Sequence, residues 1–152
     1  MIDTVSNDIV FMKRDWNSEG KTEIMLKNGR MITTEIDPEK LLNQTLIYLG
    51  SSIKARRTTA KKIFNIKQFI PVVIDSDIGM TFFPLHKQSD YCRYYINSYY
   101  FLDYTEQQII FTNKTRLKIS LPEAFVRRQY EKSLSMMDSQ RKIREQKINY
   151  DF

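Results

Sequence analysis

The sequence predicts an α+β domain built mainly on antiparallel β-sheet. Three observations carry that expectation. Segments with strand character outnumber those with helical periodicity, and most neighbours are joined by short turn signals. The helical segments fall singly: one after the first hairpin, a short basic one, and one near the C terminus. A chain of 152 residues is expected to form one domain, burying roughly 68–70% of its unfolded-chain surface. We place that domain at 1–137, with 138–152 as a polar tail or the end of the last helix. With 41% apolar and 12% aromatic residues, the composition is that of a globular protein and not of a disordered one.

Residues 8–12 read as a short strand, 17–20 as a turn, and Thr22 to Leu26 as a second strand. Asn28-Gly29 is the strongest hairpin signal in the chain, and Met31 to Ile36 is its return strand. Asp37-Pro38-Glu39 then gives a helix start, with an Asp cap and Pro in the first turn. Leu41, Leu42, Thr45, Leu46 and Leu49 recur at helical spacing, so a helix is expected over 38–49, its apolar stripe facing the core. A basic segment follows, helical at first and extended by Phe64. Ile70 to Asp75 reads as a buried strand, Ser76-Asp77 as a turn and Gly79 to Pro84 as the returning strand. Tyr91 to Asn97 and Tyr99 to Tyr104 add two β segments rich in Tyr and Phe. Gln107 to Thr112 and Thr115 to Ser120 form a last hairpin, and Pro122-Glu123 opens a helix that runs to about Met136. Helices packed on one face or at one end of the sheet complete the expected architecture.

The charge is uneven. From Gly50 to Gln68 there are six Lys or Arg and no acid, whereas residues 1–49 carry six basic and eight acidic side chains. Residues 127–147 hold the other excess, seven basic against three acidic. A concentrated patch creates a local field suited to a polyanion, while scattered charge mainly aids solubility. A basic run is also often no more than a solvated helix face. Here Gly50-Ser51-Ser52 precedes it, a flexible residue and two good N-cap residues. A helix starting there would point unpaired N–H groups at an oxyanion, beside Ser hydroxyls and guanidinium groups. The candidate DNA-binding residues are therefore Ser51, Ser52, Lys54, Arg56, Arg57, Lys61 and Lys62. The later cations Arg127, Arg128, Lys132, Arg141, Lys142 and Arg144 are read as soluble surface before a second DNA contact.

Other chemistry is thin. His86 follows Phe82-Phe83-Pro84 and reads as a loop or surface residue. Cys92 would need His86 folded back onto it to act as a nucleophile, and one Cys allows neither an internal disulfide nor a Cys-based zinc site. Four scattered Gly residues make no phosphate loop. Asp75, Asp77 and Asp90 could approach one another and hold a divalent ion, but turn formation is the plainer account. We expect no enzyme, no cofactor and no metal. Tyr91, Tyr94, Tyr95, Tyr99, Tyr100, Phe101 and Tyr104 could be a stacking platform for single strands, a dimer contact, or strand faces in a core with hydroxyls at the rim. No apolar run approaches the roughly 18 residues of a membrane helix, and no charged-then-apolar leader is visible. We expect no membrane partner and a cytoplasmic location.

The middle of the chain resembles the bacterial competence transcription factor family (ComK). The resemblance rests on Leu49-Gly50-Ser51-Ser52, then Arg56-Arg57, Pro71-Val72-Val73-Ile74-Asp75, Phe82-Phe83-Pro84 and Cys92 in that order, with a weaker echo in Phe125-Val126-Arg127-Arg128-Gln129-Tyr130. It implies a transcriptional activator of DNA-uptake genes that recognises A/T-rich promoter boxes in double-stranded DNA; on such DNA, Arg56 or Arg57 would enter the narrow, electronegative minor groove, and Ser51, Ser52, Lys54, Lys61 and Lys62 would hold phosphates. It also implies a homodimer or higher oligomer on DNA, with RNA polymerase and a Clp protease adaptor as candidate further partners. The competing readings are a divergent paralogue, an interaction protein that docks an acidic partner on the basic patch, and a single-strand nucleic-acid binder.

Overall fold

Phe82 and Phe83 decide the layering. Neighbouring residues on a strand point to opposite faces of a sheet. Both rings are fully buried, so their sheet is covered on both sides. The computed structural model describes residues 3–16, 20–86 and 91–150. It shows an α+β fold with a mainly antiparallel sheet and three helices, one of them C-terminal. The large sheet comprises β1 (Ile9–Asp15), β2 (Thr22–Leu26), β3 (Met31–Thr34), β4 (Val72–Asp75), β5 (Met80–Leu85) and β6 (Cys92–Asn97), in the order β3-β2-β1-β6-β5-β4. Every pairing in it is antiparallel. A second sheet, β7 (Phe101–Thr105), β8 (Gln108–Phe111) and β9 (Arg116–Lys118), is a separate meander.

One face of the large sheet, with Met12, Ile24, Phe82 and Tyr95, packs on Leu41, Leu42 and Leu46 of α1 (Pro38–Tyr48) and Ile53 of α2 (Ile53–Lys62). The other face, with Phe11, Phe83, Leu85 and Ile96, meets Phe101, Ile109 and Phe111 of the small sheet and Val126 of α3 (Glu123–Tyr150). A register shift between Ile9 and Phe11 lets Val10 and Phe11 both join this second core. A third cluster, Ala60, Ile70, Val73, Met136 and Met137, lies where α2 and α3 meet around the edge strand β4.

The helices are thus not confined to one face. Covering both sides of a six-stranded sheet needs more apolar surface than α1 and α2 supply, and the meander with α3 provides it. The last helix also runs well past Met136, through most of the stretch read as a polar tail or the end of this helix. Met136 and Met137 are buried, and beyond them Arg141 donates to the Ser76 carbonyl at 2.7 Å and Arg144 to Asp77 at 3.1 Å. These tertiary partners sustain turns that have little apolar periodicity of their own. β3 stops at Thr34, because the Ile36 carbonyl accepts from the Thr22 hydroxyl at 2.7 Å instead of continuing the ladder. Ser98–Tyr100 is a 3₁₀ turn that delays β7 to Phe101. Buried Asn97 organises it, accepting from the Tyr99 amide and donating to Asn7 Oδ1 and the Ile9 carbonyl.

Phe83 contacts the rings of Phe101 and Tyr130 and so ties the large sheet to the meander and α3. Phe83→Ala should destabilise the fold by about 3–5 kcal/mol, read from the urea midpoint at an unchanged slope.

Candidate nucleic-acid interface

The site begins at the joint between α1 and α2. Gly50 has φ of +78°, the left-handed conformation that favours glycine at a helix C terminus. Its N–H reaches the Ile47 carbonyl at 3.0 Å and the Ser51 N–H reaches Leu46 at 2.8 Å, closing the last turn of α1. Ser52 then caps α2, its hydroxyl accepting from the Ala55 amide at 3.0 Å. One further orphan amide, that of Ile53, donates to Asn43 Oδ1 at 2.9 Å. These are among the donors expected to face an anion. The protein itself occupies them, so Ser51 and Ser52 act first as the joint and cap of the helix.

The joint fixes how α2 is turned. Ile53 and Ala60 are its buried residues. At about 100° per residue, Lys54, Arg57, Thr58 and Lys61 share one side, and Arg56 falls roughly on the opposite side from Lys54. Lys62 is exposed at the border of the basic side. Arg57 and Lys61 line a cleft of about 470 Å³ together with Lys67, Arg93, Glu39 and Tyr95. Lys40 joins Lys54, Arg57 and Lys61 along the adjoining surface, which is open. A smaller hollow continues past Arg93 to Arg14 and Trp16, where the Arg14 guanidinium lies 4.1 Å from the indole ring centre. Lys40 and Arg93 had no signal in the sequence. Each is a single charge, and only the fold brings helix α1 and strand β6 beside α2.

Glu39 is the one acid among the residues lining the cleft. Burial works against its charge, yet the Tyr95 hydroxyl donating at 2.5 Å and the Arg57 guanidinium at 3.0 Å hold its carboxyl below the usual range. Burial and the neighbouring Glu39 push the Tyr95 hydroxyl far above the usual phenol range, so it stays a donor. The Arg57 and Glu39 side chains are 39% and 35% exposed. An ion pair so open to water is weak, and a polyanion can compete for Arg57.

Arg56 has other company. It reaches Gln140 of α3 at 3.5 Å, and burial, with Arg144 nearby, disfavours its charge. Arg56 and Arg57 therefore do not form one grip. The other cations of α3 are largely engaged within the protein: Arg127 with Asp103 and Glu123, Lys132 with the Gln68 carbonyl, Lys142 with Asp138.

The aromatic cluster divides. Tyr95, Tyr100, Phe101 and Tyr104 are buried, Tyr94 is half-buried, and Tyr91 and Tyr99 are exposed. The Tyr104 hydroxyl reaches the Leu121 carbonyl at 2.6 Å, and that of Tyr100 donates to the Asn7 carbonyl. His86 packs edge-on to Phe69, the ring centres 5.3 Å apart. The Asp75 carboxylate accepts from the Asp77 amide, as a turn residue does. Asp90, the third acid weighed for a metal, lies outside the described residues. Among the described residues, no group of three or more His, Cys, Asp and Glu could hold a metal ion, and no helix is long and apolar enough to cross a membrane.

An α+β fold that turns one helix-borne cationic side outward offers a surface suited to a polyanion. Residues 5–144 match the family model described as ComK protein, and the chain belongs to that family, one of competence transcription factors. No curated protein and no solved structure matches the chain.

The Glu39 pair makes a pH prediction. A carboxyl whose pKa falls on folding adds stability above its unfolded pKa and loses it as pH falls through the folded value. In urea titrations across pH, wild type should therefore exceed Glu39→Gln in stability at neutral pH. The gap should close as the solution is acidified below the usual carboxylate range. A gap independent of pH would show that the carboxylate charge is not the source.

Proposed function

We propose that the chain activates competence genes by binding A/T-rich promoter boxes in double-stranded DNA, with the outward side of α2 as its contact. The observation that carries this reading is the grouping of Lys54, Arg57 and Lys61 on one side of α2. Lys40, Lys67 and Arg93 border the same surface. Lys54, Lys61 and Lys62 hold phosphates and set the orientation, and Ser51 and Ser52 support them by fixing the helix start. Arg57 leaves Glu39 and enters the minor groove, where A/T tracts deepen the negative potential. Of the two arginines it is the better placed, because Arg56 is turned toward α3. The single-strand reading has less support, since most of the Tyr cluster faces the cores. A homodimer or higher oligomer on adjacent boxes would multiply the same contacts, and an activator so bound would present RNA polymerase with a fixed surface.

Fluorescence anisotropy with A/T-rich duplex, G/C-rich duplex and single strand at matched salt tests the reading. Arg57→Ala should weaken A/T-rich binding about tenfold, and G/C-rich binding less. The double variant Lys54→Ala/Lys61→Ala should weaken both duplexes alike. About four to six neutralised phosphates give a log–log salt slope near −4 to −5 per protomer. Equal loss on both duplexes with Arg57→Ala would remove its groove role, and tightest binding to single strand would overturn the duplex reading. A minor-groove drug should displace the protein from the A/T-rich duplex.

A further inference from the structure

Arg56 is the basic residue of α2 that the DNA contact leaves over, and its surroundings are unusual for a guanidinium. Its Nε is buried without a hydrogen-bond partner among the described residues, and its Nη1 has only the long contact to Gln140 at 3.5 Å. A second guanidinium, Arg144, lies close enough to repel it. The carboxylates in the neighbourhood are already engaged. Asp77 Oδ2 accepts from Arg144 at 3.1 Å, and Asp75 Oδ1 accepts from the Asp77 amide at 3.0 Å. A partly desolvated guanidinium with unfilled donors is a standing demand for an oxyanion.

This demand opens onto a cavity of about 540 Å³ between α2, α3 and the β4–β5 turn. Its rim carries exposed apolar side chains, Leu49 and Ile63 at 58% and 61% exposure with Ile143 beside them, next to the exposed Asp77–Arg144 ion pair. Clustered exposed apolar side chains around a polar anchor mark a place where another surface sits. We propose that this side of α2 docks an acidic segment of a partner protein. One carboxylate of that segment accepts from the Arg56 guanidinium, and a neighbouring apolar side chain covers Leu49, Ile63 and Ile143.

Two other occupants fit less well. A nucleic-acid backbone would leave the apolar side chains of the rim uncovered. A small free oxyanion could satisfy Arg56 but would bury none of that rim. An acidic segment with an apolar residue does both, and its charge complements the guanidinium without a carboxylate. The site lies on the far side of α2 from Lys54, Arg57 and Lys61, so it is independent of the DNA reading and both ligands can be held together.

A displayed library of short peptides drawn from Glu, Asp, Leu, Ile, Phe and Ser, panned against the full chain, tests this. Selected peptides should combine acidic and apolar residues. Labelled, they should bind Arg56→Gln at least tenfold more weakly than wild type, and Lys54→Ala/Lys61→Ala as tightly as wild type. Because Arg56 is half-buried, Ile63→Ser at an exposed position is the second variant. It should also weaken the peptides, with its thermal unfolding and DNA binding unchanged. Failure to enrich any peptide, selection of acidic peptides without apolar residues, or equal binding to Arg56→Gln would overturn the proposal. So would displacement by A/T-rich duplex, which would place the peptide on the basic side. If the protein binds no duplex at all, the peptide results still stand or fall alone.

Discussion

The seating of α2 is the constraint on which the functional surface depends. This helix is polar almost all round, and a helix of that kind has little reason to adopt one rotation unless its ends are held. Three contacts hold it. Ile53 enters the core under α1, Ala60 enters the cluster shared with α3, and the Ile53 amide is tied to Asn43 of the preceding helix. Ala60 has the further merit of being small, so the α2 backbone lies close to the edge strand. Once these are set, the direction of every charge on the helix follows from its spacing. A slip of one residue would put Arg56 in the place of Arg57 and Ala55 in the place of Arg56.

That rotation gives two adjacent arginines different physical lives. Arg57 is shared between water and Glu39, so its charge is available at small cost. Arg56 is partly desolvated beside another cation, so any anion reaching it meets little competition from water. Both residues belong to the same basic run, and net charge alone treats them as equal. Helical geometry and burial separate them.

Much of this organisation was legible in the chain. The Asp37-Pro38-Glu39 start, the Asn28-Gly29 turn and the Gly50-Ser51-Ser52 joint are local signals, and local hydrogen bonds fulfil them. The basic run could be found because its charges are adjacent in sequence. Its division into two sides could not, because that depends on Ile53 and Ala60 finding partners far along the chain. Arg93 and Lys40 were silent for the same reason. The sequence left 138–152 open between a tail and the end of α3, because Arg141 and Arg144 are held by Ser76 and Asp77, more than sixty residues away, and no periodicity records such a contact. The donors of the α2 N terminus were expected to await a ligand. Asn43, a residue with no distinguishing pattern, had already taken one.

The hollow at the end of the cleft has a practical side. The chain contains one tryptophan, and it stands there with the Arg14 guanidinium over its ring. Indole emission responds to nearby charge and to water. A ligand that extends past Arg93 into the hollow beside Arg14 changes both for Trp16. The protein thus carries its own optical probe of occupancy, at one known position and without a label.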